Sequence, residues 1–319
     1  MNTVLQNWLW RLLTFLILLA LAAGLWVATK KIDYTWRWNR VPQYFLYHQE
    51  DFKNIPFDGR VTRIDKLGDK TRIGVLSEDG EEQVFEVDSE TVAVRAEEDL
   101  FEGDTLGATR HWRPGPLTVG LWTTLWLSAA ASVLGMLIGL ITGLCRVSGN
   151  ITLRQLSIFY IEVIRGTPLL VQIFIFYFFL GTVLDISRIV AGISALAIFA
   201  GAYVAEIIRA GIQSIPKGQM EAARSLGMNA PQAMIHVILP QAFKRILPPL
   251  AGQFISLIKD SSLVSVIAIT DLTKSGREVI TSTFATFEIW FVVALLYLLL
   301  TSVLSQLIAW VERRLAVSD

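Results

Sequence analysis

Polar side chains inside otherwise apolar stretches are where this sequence could do chemistry. One cluster, Lys259-Asp260-Ser261-Ser262, sits almost at the midpoint of the 25 residues between Arg245 and Asp271. A Lys or Asp at the centre of a membrane-spanning helix costs about 2.5–3.5 kcal/mol on insertion scales, so these groups need partners or a water-filled cavity. Pro248 and Pro249, in the same stretch, free backbone groups, which a cavity-lining helix tolerates. The alternative is structural, with Lys259 and Asp260 pairing to other helices. Glu162 with Arg165, and Glu206 with Arg209, stand three apart and can pair on one helix face as structural or gating ion pairs. Other chemistries lack their residues. His48, His111 and His236 match no ligand spacing, and the single Cys145 excludes an internal disulfide and a cysteine-rich metal site. No Gly-x4-Gly-Lys-Ser/Thr loop is present, so the chain cannot hydrolyse ATP by that route.

The elements that must position these groups are membrane helices. With 53% hydrophobic and 18% charged side chains in 319 residues, the chain is too apolar for an ordinary soluble protein. Its 28 basic side chains balance 28 acidic ones, which gives no reason to expect nucleic acid as a partner. A bilayer core about 30 Å thick needs roughly 20 apolar helical residues. Charge-free runs of 18 residues after Arg11, 32 after Arg113, 19 after Arg165, 17 after Arg188 and 23 after Glu288 provide five spans. The interrupted run after Arg245 makes a sixth, so the expected fold is an all-α polytopic membrane protein of six transmembrane helices with a small β-rich extramembrane insert. Trp8 and Trp26 bracket the first span and Trp290 and Trp310 the last, as interfacial aromatics do. Gly135, Gly139 and Gly143 repeat every four residues, a stripe for close packing within the chain rather than for a dimer seam. Residues 1–29 are read as a retained anchor. Ala20-Leu21-Ala22 resembles a cleavage site, but the apolar run exceeds the usual ~7–15 residues of a signal peptide.

Residues 30–115 differ in character. From 51 to 115 they carry 16 acidic against nine basic side chains. Alternating runs such as Arg60–Ile64 and Gln83–Val87, with Glu78-Asp79-Gly80-Glu81 between them as a hairpin signal, predict a small β domain over about 57–110. The aromatic segment Tyr34–Tyr47 is expected along the membrane surface. The insert is either a passive accessory or a docking element.

The segment from Ser214 to Pro240, within a loop over 213–240, has its own local logic. Pro216 and Gly218 open a short helix of good helix formers, and Gly227 is placed to end it in the left-handed conformation. Asn229 and Gln232 form a capping box for a second short helix, whose end Pro240 marks. Ala222 and Ala223 leave the first helix thin on one side for close approach by another protein, and Glu221 suits the helix N-terminus or a basic partner. A plain helical hairpin between two spans would look the same by composition.

This stretch resembles the EAA loop of permease subunits of bacterial ABC importers. Glu221-Ala222-Ala223, Gly227 and Leu239-Pro240 match its pattern, and Val237 stands where the pattern has Ile. Tyr160-Ile-Glu162-Val-Ile-Arg165-Gly166-Thr167-Pro168-Leu-Leu-Val-Gln172 and Leu257–Ser265 resemble segments of the polar amino acid group, which handles histidine, arginine, glutamine and glutamate. The resemblance covers residues 116–315. It implies five core helices, with 213–240 seated in an ATP-binding cassette subunit through Gly218, Glu221, Ala222, Ala223, Gly227 and Pro240. It further implies two such subunits holding ATP and Mg, a second permease subunit identical or related to this one, and a periplasmic amino-acid-binding protein. The chain itself would be a non-enzymatic path that alternates its access. A zwitterionic amino acid needs acceptors for its ammonium and donors for its carboxylate, which puts the path along Arg165, Thr167, Pro168 and Gln172 and along Lys259, Asp260, Ser261 and Ser262.

A cytoplasmic loop fixes the orientation. Arg146, Arg154, Lys217, Arg224, Lys244, Arg245, Arg313 and Arg314 then lie inside, against Arg188, Lys274 and Arg277 in the short outer loops. Arg11 against Lys30, Lys31, Arg37 and Arg40 argues the other way for the first span, but the later spans decide. Both termini are therefore expected in the cytoplasm and residues 30–115 in the periplasm of a bacterial inner-membrane protein. The rival from another class is an ATP-independent secondary transporter or channel using Lys259 and Asp260 as an ion relay. Such proteins pair broken helices in two halves, and only one interrupted span is visible here. A membrane-anchored sensor built around the β domain would leave the polar-punctuated membrane core without a purpose.

Overall fold

The computed structural model describes residues 3–31 and 34–316. It divides into two compact units, Met1–Val41 and Pro42–Asp319. In the first, helix α1 (Thr3–Lys31) exposes every side chain from Trp8 to Ala28. A helix apolar all round, with no polar face, suits a span surrounded by lipid.

The second unit opens with six antiparallel strands, β1 (Leu46–Asn54), β2 (Gly59–Leu67), β3 (Lys70–Ser77), β4 (Glu82–Asp88), β5 (Asp99–Leu100) and β6 (Thr105–Pro114). They form a four-stranded sheet in the order β4-β3-β2-β5 and a two-stranded ribbon of β1 with β6. The hairpin signal at 78–81 connects β3 to β4, with Gly80 at φ 86° and the Ser77 amide donating to the Glu81 carbonyl at 2.9 Å. Inward residues of both sheets, among them Val61, Ile73, Val75, Val87 and Leu106, close one small core together with Ile55, just past β1. The strands begin at Leu46 rather than near 57. Strand β1 reads Leu-Tyr-His-Gln-Glu-Asp-Phe-Lys-Asn, without alternation, because its side chains are mostly exposed and pairing with β6 from Leu46↔Pro114 onward holds it.

Only Gly115 separates β6 from α2 (Pro116–Arg146). The helices that follow are α3 (Ile151–Arg165), α4 (Leu169–Phe174), α5 (Gly181–Leu184), α6 (Arg188–Gln213), α7 (Lys217–Ser225), α8 (Ala230–Ala233), α9 (Leu239–Asp260), α10 (Leu272–Thr283) and α11 (Thr286–Ala316). Wide π turns over Ile175–Leu180 and Met234–Ile238 make α4–α5 and α8–α9 continuous. Among the described residues, five helices are long and apolar enough to cross a membrane, and α3 with Leu169–Leu184 makes a sixth crossing if that pair, bent by 102°, counts as one span. Arg154, expected on the inner side, belongs to α3, whose first turn Asn150 caps at 3.3 Å from the Leu153 amide. Counting charge-free runs overlooks this helix because it is amphipathic and carries Arg154 and Glu162.

Helix α2 packs along α6 through the glycine stripe. A Cβ on Gly135 would lie 3.0 Å from Ala200 Cβ, one on Gly139 2.4 Å from Val204 Cγ1, and one on Gly143 3.0 Å from the Ala205 carbonyl. The stripe therefore serves packing within the chain, where small residues let two backbones approach and gain dispersion contacts that lipid cannot replace.

Candidate functional site

The loop is built as its residues dictate at its start. Helix α7 begins after Pro216, and Gly227, at φ +87°, reverses the chain beyond it. Asn229 and Gln232 exchange both bonds of a capping box at 2.9 Å each. The second helix does not end at Pro240, however. Leu239 donates its amide to the Met234 carbonyl, a bond five residues long, and Pro240, with no amide to give, sits in the first turn of α9. The widened turn relieves the ring clash that would otherwise break the helix, so α8 and α9 run on as one.

The loop is fixed to the membrane core at defined points. Arg245 on α9 donates to the Ser214 carbonyl at 2.6 Å, and Gln241 donates to Gln219 Oε1 at 3.1 Å, pinning α7. Ala223 is buried against the chain's own core, so it is not part of an open face as expected. Gly218, Glu221, Ala222 and Gly227 are exposed. Next to them Leu226 is 82% exposed, an apolar group that sequence reading passed over although it directly precedes the capping glycine.

The residues expected to line a path fall into separate groups. Lys259 and Asp260 are the last two residues of α9, and a 3-10 turn over Ser261–Ile267 follows, ending at Ala268 with φ +62°. Among the described residues neither makes an ion pair with a facing helix, so the structural pairing alternative finds no partner. Ser261 is fully buried and donates to the Ile258 carbonyl at 2.7 Å, while Ser262 is half-buried. The second group makes the 102° bend between α3 and α4. Gln172, 4% exposed, donates to the Ile164 carbonyl at 2.7 Å and to Thr167 Oγ1 at 2.9 Å, and Pro168 starts α4. Gln172 thus staples the corner, with its own Oε1 buried and unbonded. This bend is a second interruption, where the sequence suggested only one. Both interruptions pack on one core, in which Leu169 and Ile173 of α4 meet Val264 and Ile267 of the 3-10 turn.

Arg165 faces elsewhere. It does not pair with Glu162 but reaches Glu206 at 3.9 Å and lies over the Tyr203 ring at 5.1 Å. Glu206 also accepts from Arg209 at 2.8 Å, as the spacing suggested, and meets Arg146 at 3.7 Å. Arg165 and Glu206 line a cavity of about 500 Å³ with Tyr203, Ser214, Arg245 and Pro249, and none of Lys259 to Ser262 lines it. No sequence signal pointed to the long-range contacts of Glu206.

The family described as "Binding-protein-dependent transport system inner membrane component" matches residues 135–317. The glutamine transport system permease protein GlnP of Escherichia coli (strain K12) is 41% identical over 210 residues, 65% of this chain and 96% of that protein. The L-cystine transport system permease protein TcyB of Bacillus subtilis (strain 168) is 43% identical over 164 residues, 51% of this chain and 70% of that one. A crystal structure of an amino acid ABC transporter with histidines superposes with a TM-score of 0.59 at 45% identity, covering 62% of this chain and 94% of that chain. An inward-facing MetNI methionine ABC transporter shares the fold at 20% identity, with a TM-score of 0.56, 62% of this chain and 95% of that chain. With more than half its length matched and a relative covered almost end to end, the chain belongs to the family of binding-protein-dependent transport system inner membrane components.

Proposed function

We propose that this chain is the membrane-spanning subunit of an ATP-driven importer that carries a polar L-amino acid across the inner membrane by alternating access. The observation that carries the reading is the exposed edge of α7 and its cap, Glu221, Ala222, Leu226 and Gly227, with α7 bonded to α9 through Gln219 and Gln241 and the end of α6 bonded to α9 through Ser214 and Arg245. A face that is open to a partner and bonded to membrane helices can pass a partner's movement to them. The partners are two ATP-binding subunits with ATP and Mg, a second permease subunit, and a periplasmic binding protein. Relatives named for glutamine and cystine, and a structural neighbour named for an amino acid, support the substrate class. The path runs past the two chain interruptions, with Lys259, Asp260, Ser262, Thr167 and Pro168 along it; Ser261 and Gln172 hold its walls, and Arg165 with Glu206 closes its cytoplasmic side. Both termini lie in the cytoplasm and residues 30–115 in the periplasm.

The test is copurification and transport with Glu221→Lys and Leu226→Asp. Both variants are expected to insert normally and to lose the ATP-binding subunit together with ATP-dependent uptake. Retained association and uptake in both would sink the coupling role. Uptake by vesicles containing this chain alone, driven by an ion gradient, would replace the reading with a secondary transporter.

A further inference from the structure

Where α2 and α6 end and α3 and α7 begin, the structure holds a pocket of about 780 Å³ lined by Arg146, Arg154, Arg209 and Lys217 and by no carboxylate. Glu206 reaches Arg146 and Arg209 without lining it, which partly compensates those two. Arg154 and Lys217 are exposed, and among the described residues neither makes an ion pair or a side-chain hydrogen bond. The pocket also touches the first turn of α3, 15 residues long, at Arg154, and the start of α7, nine residues long, at Pro216 and Lys217, so two helix N-termini add to its positive potential. The remaining wall is apolar, with Ile158, Ile212, Ile215, Met220, Met234 and Ile238.

We propose that this pocket binds the phosphate headgroup of an anionic membrane lipid, with its glycerol and upper acyl chain lying on the isoleucine and methionine wall. The shared chemistry is a phosphate, which a soluble anion also presents, but a hydrated ion gains nothing from that apolar wall whereas a lipid does. The location fits as well. On the orientation proposed above, on which this inference rests, the pocket lies at the cytoplasmic ends of the helices, where anionic headgroups collect beside basic side chains. Two of its residues, Pro216 and Lys217, start α7, so a bound lipid would brace the partner-facing helix from behind.

The experiment uses the purified full chain in mild detergent, melted during titration with dioleoylphosphatidylglycerol, dioleoylphosphatidylcholine or inorganic phosphate. The anionic lipid is expected to raise the melting temperature saturably and the other two to have no effect. In the double variant Arg154→Gln/Lys217→Gln, half-saturation should need about thirtyfold more lipid, since each basic group near a headgroup contributes roughly fivefold. Identical titrations of the two proteins would overturn the proposal in favour of non-specific annular lipid. A matching shift from inorganic phosphate alone would overturn it in favour of a soluble anion. Loss of the ATP-binding subunit from the double variant with its lipid response intact would assign the pocket to that interface instead. Because binding is read on the chain by itself, it stands or falls separately from the coupling role of Glu221 and Leu226.

Discussion

Glu206 sets one carboxylate against three guanidinium groups, from Arg146, Arg165 and Arg209, on three different helices. Its side chain is only 19% exposed, so its removal leaves cations in a poorly hydrated place rather than returning them to water. Glu206→Gln is therefore expected to destabilise the detergent-solubilised chain by about 1–3 kcal/mol, most of it from the bidentate Arg209 contact. Arg165→Gln, which gives up only a 3.9 Å contact, should cost less than about 1 kcal/mol. Denaturant melts of the two variants check the ranking, and equal losses would show that Glu206 is not the hub. Gln172 invites the same reasoning at the bend. Gln172→Leu frees the Ile164 and Thr167 carbonyls at the corner and should cost about 1–3 kcal/mol in the same melt, without the gain in stability that filling a core with carbon would bring.

Among the elements, the two loop glycines play different roles. A Cβ on Gly218 or on Gly227 meets nothing within 4 Å, so neither position is restricted by packing. Only Gly227 has a positive φ, at +87°. Gly227→Ala should cost about 1–2 kcal/mol and loosen the junction of α7 with α8, whereas Gly218→Ala, in the first turn of a helix, should leave the melting temperature unchanged or slightly raised. If Gly218→Ala nonetheless weakens association with the ATP-binding subunit, the open space at Gly218 is occupied by the partner. The contrast shows what was legible. Capping chemistry is local, so Asn229, Gln232 and Gly227 announced their structure in three or four letters. Pro240 misled because its consequence depends on a widened turn at Met234, which no residue pattern advertises. Long charge-free runs disclosed α2, α6 and α11, but α3 hid behind Arg154 and Glu162, and the 102° bend depends on tertiary bonds made by Gln172. Residues of the candidate path were found as polar exceptions in apolar runs, yet their grouping followed from which helices pack together. One-dimensional spacing carries no record of that, so Arg165 was placed with Gln172 when its partner is Glu206 on α6.

For the whole molecule, the informative boundary is between the strands and the membrane core. GlnP of Escherichia coli covers 65% of this chain while being matched over 96% of its own length, so the core has a counterpart that does without the β insert. The insert is joined to the core with little slack. Gly115 donates its amide to the Phe45 carbonyl at 2.8 Å, Thr118 Oγ1 donates to the same oxygen at 2.7 Å, and Pro116 begins α2 immediately. A Cβ on Gly115 would stand 2.3 Å from the Tyr44 carbonyl oxygen, so Gly115→Val should fail to keep this joint. The same geometry makes the insert removable, because Leu46 and Pro114 are paired across the ribbon and the two chain ends emerge side by side. Replacing residues 46–114 by two glycines should therefore leave a core that inserts, melts cooperatively and still copurifies with its ATP-binding subunit. Uptake then decides between the two readings of the insert. An accessory role leaves binding-protein-dependent uptake intact in the excised chain, which is the expected result given a relative that lacks the domain. Loss of uptake with ATP hydrolysis preserved would mean that these 16 acidic side chains over 51–115 face a docking partner, and Gly115 would then be the point through which that docking acts on α2.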